Sequence, residues 1–226
     1  GPKLSSELHL NLSKKLLNLL ISLVTTSNLI PELTSFSPHD IAAYCGNVDS
    51  YKHFVERTLD INPKEPQSEY TPLHFAACYG KIEVCRYIIA DLDDKNPRNK
   101  YGVTPLYFGA TFGYLEICKL IIKSIQDKNL RDIHGETPLH LAAERGHMDI
   151  FLVISEHVPD KNLSGKDGYT PLHLAAENGH LDICKLIIKD TQDKNPGNND
   201  DDTPLHRAAE RGHMDIFLLI SEHVPD

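Results

Sequence analysis

Positive charge is scarce in this chain. Lysine and arginine number 23 against 32 aspartates and glutamates, a net charge of −9. That balance argues against nucleic acid or an anionic membrane as partner, since both call for clustered positive charge. Long apolar runs are also missing. A membrane-crossing helix needs about 20 consecutive apolar residues, and the longest run here, Leu16 to Val24, is interrupted by Asn18 and Ser22. No membrane insertion is expected. The run, preceded by Lys14 and Lys15, faintly resembles the apolar part of a signal peptide, but it follows Gly1-Pro2, a pair of the kind that tag cleavage leaves. Cysteines are few and odd in number, five in 226 residues, which points to a reducing, cytoplasmic setting rather than a disulfide framework.

Motifs for chemistry are lacking too. There is no Cys-x-x-Cys pair and no His-Glu-x-x-His helix, so the 13 histidines carry little zinc signal. Ser164-Gly165-Lys166 lacks the glycine spacing of a phosphate loop. Cys45 and His53 could be paired on paper as nucleophile and base, without any special geometric claim. Asn11-Leu12-Ser13 and Asn162-Leu163-Ser164 are glycosylation sequons that matter only in a secreted chain. The expectation is no catalytic residue, no metal, no cofactor and no enzyme. What remains is an ordinary composition, 40% hydrophobic and 24% charged, in a chain long enough to bury roughly 70% of its unfolded surface.

The strongest signal is self-similarity. Thr-Pro-Leu recurs at Thr71, Thr104, Thr137, Thr170 and Thr203, each interval being 33 residues. The cysteines follow the same period: Cys45 and Cys78, Cys85 and Cys118, and Cys184 at twice that spacing, so they mark a repeat and not a ligand cluster. Segment 137–160 differs from 203–226 only at Leu141/Arg207 and Val153/Leu219, and 104–136 shares Ile-Cys-Lys-Leu-Ile-Ile with 170–202. The later units therefore alternate with a 66-residue superperiod, as duplication of a two-unit block would leave them.

Each unit reads as two short helices and an extended connector. In the unit of Thr137, the threonine is an N-cap candidate and Pro138 takes the first helical position, where a missing N–H costs nothing. Leu139, Leu141, Ala142 and Ala143 give a first-helix face that is small on one side, and Gly146 ends it. A second helix is predicted from Met148 to about Glu156, with Ile150, Phe151, Val153 and Ile154 at helical spacing. Pro159 breaks it, and Gly168 marks a turn before the next threonine. One unit cannot hide its own apolar face, so stability must come from stacking. Cys85, Cys118 and Cys184 share a second-helix slot with Phe151 and Phe217 and read as core residues.

The pattern Thr-Pro-Leu-His-Leu-Ala-Ala at 137–143 and 170–176, followed by Gly-His and a second helix, resembles the ankyrin repeat family. The resemblance covers at least residues 71–226 as five repeats (71–103, 104–136, 137–169, 170–202, 203–226), the last reading as truncated. Residues 37–70, with Ser37-Pro38-His39-Asp40-Ile41-Ala42-Ala43, look like a degenerate repeat. Residues 1–36 read as a tag remnant and a helical N-terminal cap or decayed repeat, with a free partner-binding helix as the alternative. The implied fold is an all-α solenoid of helix-turn-helix units with β-hairpin-like connectors. In that family His74, His140, His173 and His206 would bridge backbone groups of neighbouring repeats. The chain departs from the family pattern where Leu92, Ile125, Val158, Thr191 and Val224 replace a glycine after the second helix. It departs also where Tyr107 replaces the motif histidine, and where Asp201 replaces the turn glycine of Gly102, Gly135 and Gly168.

The resemblance implies a protein-protein interaction scaffold, monomeric as given, that binds a protein or peptide on a concave face of turn tips and first helices. The alternative is an accessory recognition domain of a larger enzyme, adaptor or channel. Candidate contact residues in those slots are Tyr70, Tyr79, Tyr101, Phe112, Ile133, Arg145, Tyr169 and Arg211, with Tyr107 and Tyr114 at histidine positions. Aromatics gather in the earlier units, and clustered exposed aromatics anchor interfaces. Asn96, Asn129, Asn162 and Asn195 recur at one connector position; in the family that asparagine is sometimes hydroxylated, and otherwise its side chain ties the turn together.

Overall fold

A computed structural model describes residues 37–128 and 130–224. The expected cap at 1–36 lies outside the described residues. The chain divides into two compact units between Asp93 and Asp94. In the first, helices α1 (Pro38–Cys45), α2 (Val48–Thr58), α3 (Pro72–Cys78) and α4 (Ile82–Asp91) pack as two consecutive pairs. The second holds α5 (Pro105–Phe112), α6 (Leu115–Ile122), α7 (Pro138–Arg145), α8 (Met148–Ser155), α9 (Pro171–Glu177), α10 (Leu181–Asp190), α11 (Pro204–Arg211) and α12 (Met214–Ser221). No strand is present among the described residues.

The local reasons for these helices are those legible in the repeat. Each first helix has proline at its start, and Thr71, Thr137, Thr170 and Thr203 close a capping box with the histidine three residues on. In the degenerate repeat Ser37 and Asp40 close the same box: the Asp40 N–H donates to Ser37 Oγ (3.2 Å) and the Ser37 N–H to Asp40 Oδ2 (2.8 Å). In four repeats the orphan N–H of the Thr-Pro-Leu leucine is met by the connector asparagine. Leu73 donates to Asn62 Oδ1, Leu106 to Asn96, Leu172 to Asn162 and Leu205 to Asn195, at 2.9–3.0 Å. Tying the turn to the next helix is thus the structural use of this asparagine.

Packing follows side-chain size. In the second unit the first helices α5, α7, α9 and α11 approach one another more closely than do the second helices. Ala142, Ala143, Ala175 and Ala176, all fully buried, permit this, whereas Ile150, Phe151, Ile154, Ile183 and Ile187 keep the second layer wider. The unit is therefore wedge-like, with its first helices on the inner side. Burying a leucine or phenylalanine fully, as at Leu172 and Phe151, stabilises by about 1.5–3 kcal/mol. Cys85, Cys118 and Cys184 are buried core residues as expected. In the degenerate repeat their slot is filled by buried Tyr51, whose hydroxyl donates to the Ile61 carbonyl at 2.6 Å.

Hairpin-like connectors are present in backbone pairing though not as strands. Asn99, Asp132, Gly165 and Asn198 each donate to the carbonyl four residues on, at 2.7–3.0 Å. Successive tips are joined by single bonds, Ile133 to Tyr101, Lys166 to His134 and Asn199 to Asp167, at 2.9–3.0 Å. One bond per step is too few for a ladder. Asp201 adopts φ 60°, as its place in the turn requires. So does Glu69 at φ 59°, a residue with no sequence mark of that conformation.

Candidate partner-binding surface

Two sets of histidines lock the repeats of the second unit in register and so place its inner face. In the first set, His140 Nδ1 accepts from the Thr137 N–H (3.1 Å) while Nε2 meets the Tyr169 carbonyl (3.3 Å). His173 does the same with Thr170 (3.1 Å) and the Asp202 carbonyl (3.0 Å). A ring accepting at Nδ1 must carry its proton on Nε2, so the geometry fixes the neutral tautomer. Burial pushes His140 down to about 4 and lowers His173, consistent with neutral rings. The second set runs backwards: His147, His180 and His213 direct Nε2 to the carbonyls of Thr111, Glu144 and Glu177, at 3.0–3.3 Å. Glycine ends the preceding first helix in the left-handed conformation, at φ 73–81° for Gly113, Gly146 and Gly179, and these rings lie on it. A Cβ on Gly179 would meet the His213 ring at 2.7 Å.

The candidate residues fall in both units, and each unit presents a set of its own. In the first unit, exposed Tyr79 meets Tyr44 edge-on at 4.4 Å between ring centroids. Tyr70 is half-buried against His74 and Phe75. Tyr44 was missed from sequence because its repeat is degenerate and its slot is a cysteine, Cys78, in the next one. In the second unit, Tyr101 and Ile133, 41% and 45% exposed, occupy successive turn tips. Phe112, 50% exposed, ends α5 and stacks on Phe108, with centroids 6.3 Å apart. Tyr107 and Tyr114 are half-buried; the Tyr107 hydroxyl donates to Glu136 Oε2 at 3.3 Å, and burial, then Glu136 and Asp132, push its phenol upward. Arg145 is exposed beside Glu144 (3.5 Å), and Arg211 pairs with Glu177 (2.5 Å). Tyr169 lies under the Arg207 guanidinium, 5.2 Å from its ring centroid.

Burial pushes the thiols of Cys85, Cys118 and Cys184 up to about 12 and Cys78 up to about 11, so these four are poor nucleophiles. Among the described residues no group of histidine, cysteine and carboxylate side chains could hold a metal ion, and no helix is long and apolar enough to cross a membrane.

A family model described as ankyrin repeats (3 copies) matches the chain over residues 39–132, 122–198 and 139–226. The chain belongs to the ankyrin repeat family. Ankyrin repeats are generally protein-protein interaction modules, typically without enzymatic activity, and the helix pairs and turn tips described above are their repeating unit. A curated protein of Caenorhabditis elegans, Dauer abnormal formation protein 25, is 44% identical over 48 residues, which is 21% of this ankyrin chain and 12% of that protein. The chain thus spans about an eighth of the length of that relative.

Proposed function

We propose that this protein is a non-enzymatic scaffold that binds a protein or peptide on the inner face of residues 94–224, anchored at Tyr101, Phe112 and Ile133. The observation that carries this reading is the contrast between those exposed apolar side chains and their counterparts further along. Where Phe112 stands in its repeat, Arg145 and Arg211 stand in later ones, each beside a glutamate. Large aromatics left exposed at the inner edge of a repeat array supply the desolvated anchors that interfaces use. Tyr107, Tyr114 and Tyr169 shape the floor of this face, and Arg145 and Arg211 its polar rim. In the first unit the Tyr44–Tyr79 pair, with Tyr70, is proposed as an anchor of its own. A monomeric, cytoplasmic protein without nucleic-acid, membrane or cofactor binding completes the reading. The net charge of −9 and the free thiols support it.

The alternative, a recognition module within a larger enzyme, adaptor or channel, is favoured by the match to a small part of a longer protein. The test is affinity capture from the native cell with the wild-type chain and with Tyr101→Ala/Phe112→Ala. The double variant should lose its partner while keeping its unfolding midpoint; unchanged recovery would remove this site. Hydroxylation at Asn96, Asn129, Asn162 or Asn195 is a subsidiary proposal. Asn129 lies outside the described residues and Asn96 is buried, so reaching Asn96 requires local opening of its turn. An intact-mass measurement without added increments of one oxygen would reject it.

A further inference from the structure

The repeats that begin at Thr137 and Thr203 offer a natural experiment, because segments 137–160 and 203–226 differ at two positions only. One of them, Leu141 against Arg207, lies on the first helix beside the turn. In the later repeat Arg207 is largely covered: it pairs with the Asp202 carboxylate, reaches Glu210 at 3.2 Å and sits over the Tyr169 ring. The carboxylate 66 residues before Asp202 is Glu136. It has the same place on the flank of its turn, but Leu141 stands where the arginine would be. No lysine or arginine among the described residues comes within ion-pairing distance of Glu136.

Glu136 faces instead the Tyr107 hydroxyl, at 3.3 Å, and the electrostatic influence of Asp132, Glu144 and His134. It is half-buried, and that burial, reinforced by Asp132 and Glu144, holds its carboxyl above the usual range. The side chain opens on a shallow cleft of about 340 Å³, lined also by His134, Lys166, Tyr169 and Leu174. Exposed Ile133 is three residues away along the same turn.

We propose that Glu136 receives a lysine or arginine side chain of the partner peptide. That side chain supplies from outside the cation that Arg207 supplies to Asp202 from within, while an adjoining apolar side chain of the same peptide covers Ile133. The chemistry is that of a charge-assisted hydrogen bond to a carboxylate already partly stripped of water, which favours a cation over a neutral donor. Leucine at 141 leaves the seat open, and arginine at 207 closes the equivalent one. This inference rests on the inner-face reading above.

Its test uses the intact chain and peptides selected on it from a random twelve-residue display library. The expected result is that selected peptides carry a lysine or arginine beside an apolar residue. Glutamine in place of that cation should weaken binding at least tenfold to the wild type and far less to Glu136→Gln. Leu141→Arg, which builds the Arg207 arrangement at Glu136, should also lose the peptides; because Leu141 is buried, its unfolding midpoint is checked, and Glu136→Gln carries the test alone should it fail to fold. Peptides that depend on Tyr101 and Phe112 but are indifferent to Glu136→Gln would overturn this inference and leave the inner face standing. Peptides indifferent to all these substitutions would overturn both.

Discussion

Two copies of one sequence, one followed by another described repeat and one not, behave differently in this ankyrin chain. In the repeat of Thr137, His140, Phe151 and Ala143 are fully buried; in the repeat of Thr203 their counterparts His206 and Ala209 are exposed and Phe217 is half-buried. Met214 and Leu218 are 64% and 52% exposed where Met148 and Leu152 are half-buried. Nothing in the letters distinguishes these pairs. The following repeat does: α9 and α10 pack on α7 and α8, and no described helix lies beyond α11 and α12. Burial is a property of the interface between repeats, and so is the stability it brings.

The largest expected effect separates the two copies directly. Phe151→Ala should cost about 3–5 kcal/mol, the range for truncating a buried aromatic, and Phe217→Ala about half as much or less, since less of it leaves water. Urea unfolding of the two variants measures this; equal losses would mean that burial is set within the repeat. Acid comes next. His140 and His173 stay neutral when folded, held below their ordinary 6.5 mainly by burial, and take up protons once unfolded. Their contribution is intact above about pH 6.5 and is lost as the pH falls below it, for His140 down to about 4, at up to about 1.4 kcal/mol per pH unit for each ring. His140→Gln should flatten the dependence of the unfolding midpoint on pH over that window. An unchanged slope would show that carboxylates, not the buried imidazoles, govern acid sensitivity.

Much of this was legible because the repeat imposes it locally. Proline after threonine, histidine three residues after the cap and glycine at the helix end each answer a backbone requirement within a few residues, so the helices stand where the pattern placed them. The connector asparagine acts over a similar span, Asn96, Asn162 and Asn195 each accepting from a leucine N–H ten residues on. Features that depend on a neighbour in space were not legible. Glu69 sits in a left-handed turn, yet glutamate carries no mark of that conformation. Tyr44 finds Tyr79 only once α1 and α3 pack together. The Leu141/Arg207 difference was visible as a change of letter, but the open seat at Glu136 emerges only when Arg207 is seen over Asp202 and Tyr169. The division between Asp93 and Asp94 has no counterpart in the sequence, where the 33-residue period runs through unbroken.

The smallest expected effects lie in the turns, and the same pair of repeats sharpens the contrast. Gly135 and Asp201 hold equivalent places, at φ 77° and φ 60°. Glycine is needed at 135 for two reasons. The left-handed conformation costs an L-residue about 1–2 kcal/mol, and a Cβ there would meet the backbone nitrogen of Lys166, in the next turn, at 2.8 Å. Gly135→Ala should therefore destabilise by at least about 1–2 kcal/mol. At Asp201 only the first reason applies, since no further turn packs on it among the described residues, and aspartate tolerates the left-handed region better than most residues. Asp201→Gly should relieve that strain and lose part of the gain to the greater freedom of glycine in the unfolded chain, leaving a net stabilisation of a few tenths of a kcal/mol. A loss of stability from Asp201→Gly would mean that the aspartate side chain itself contributes to the turn.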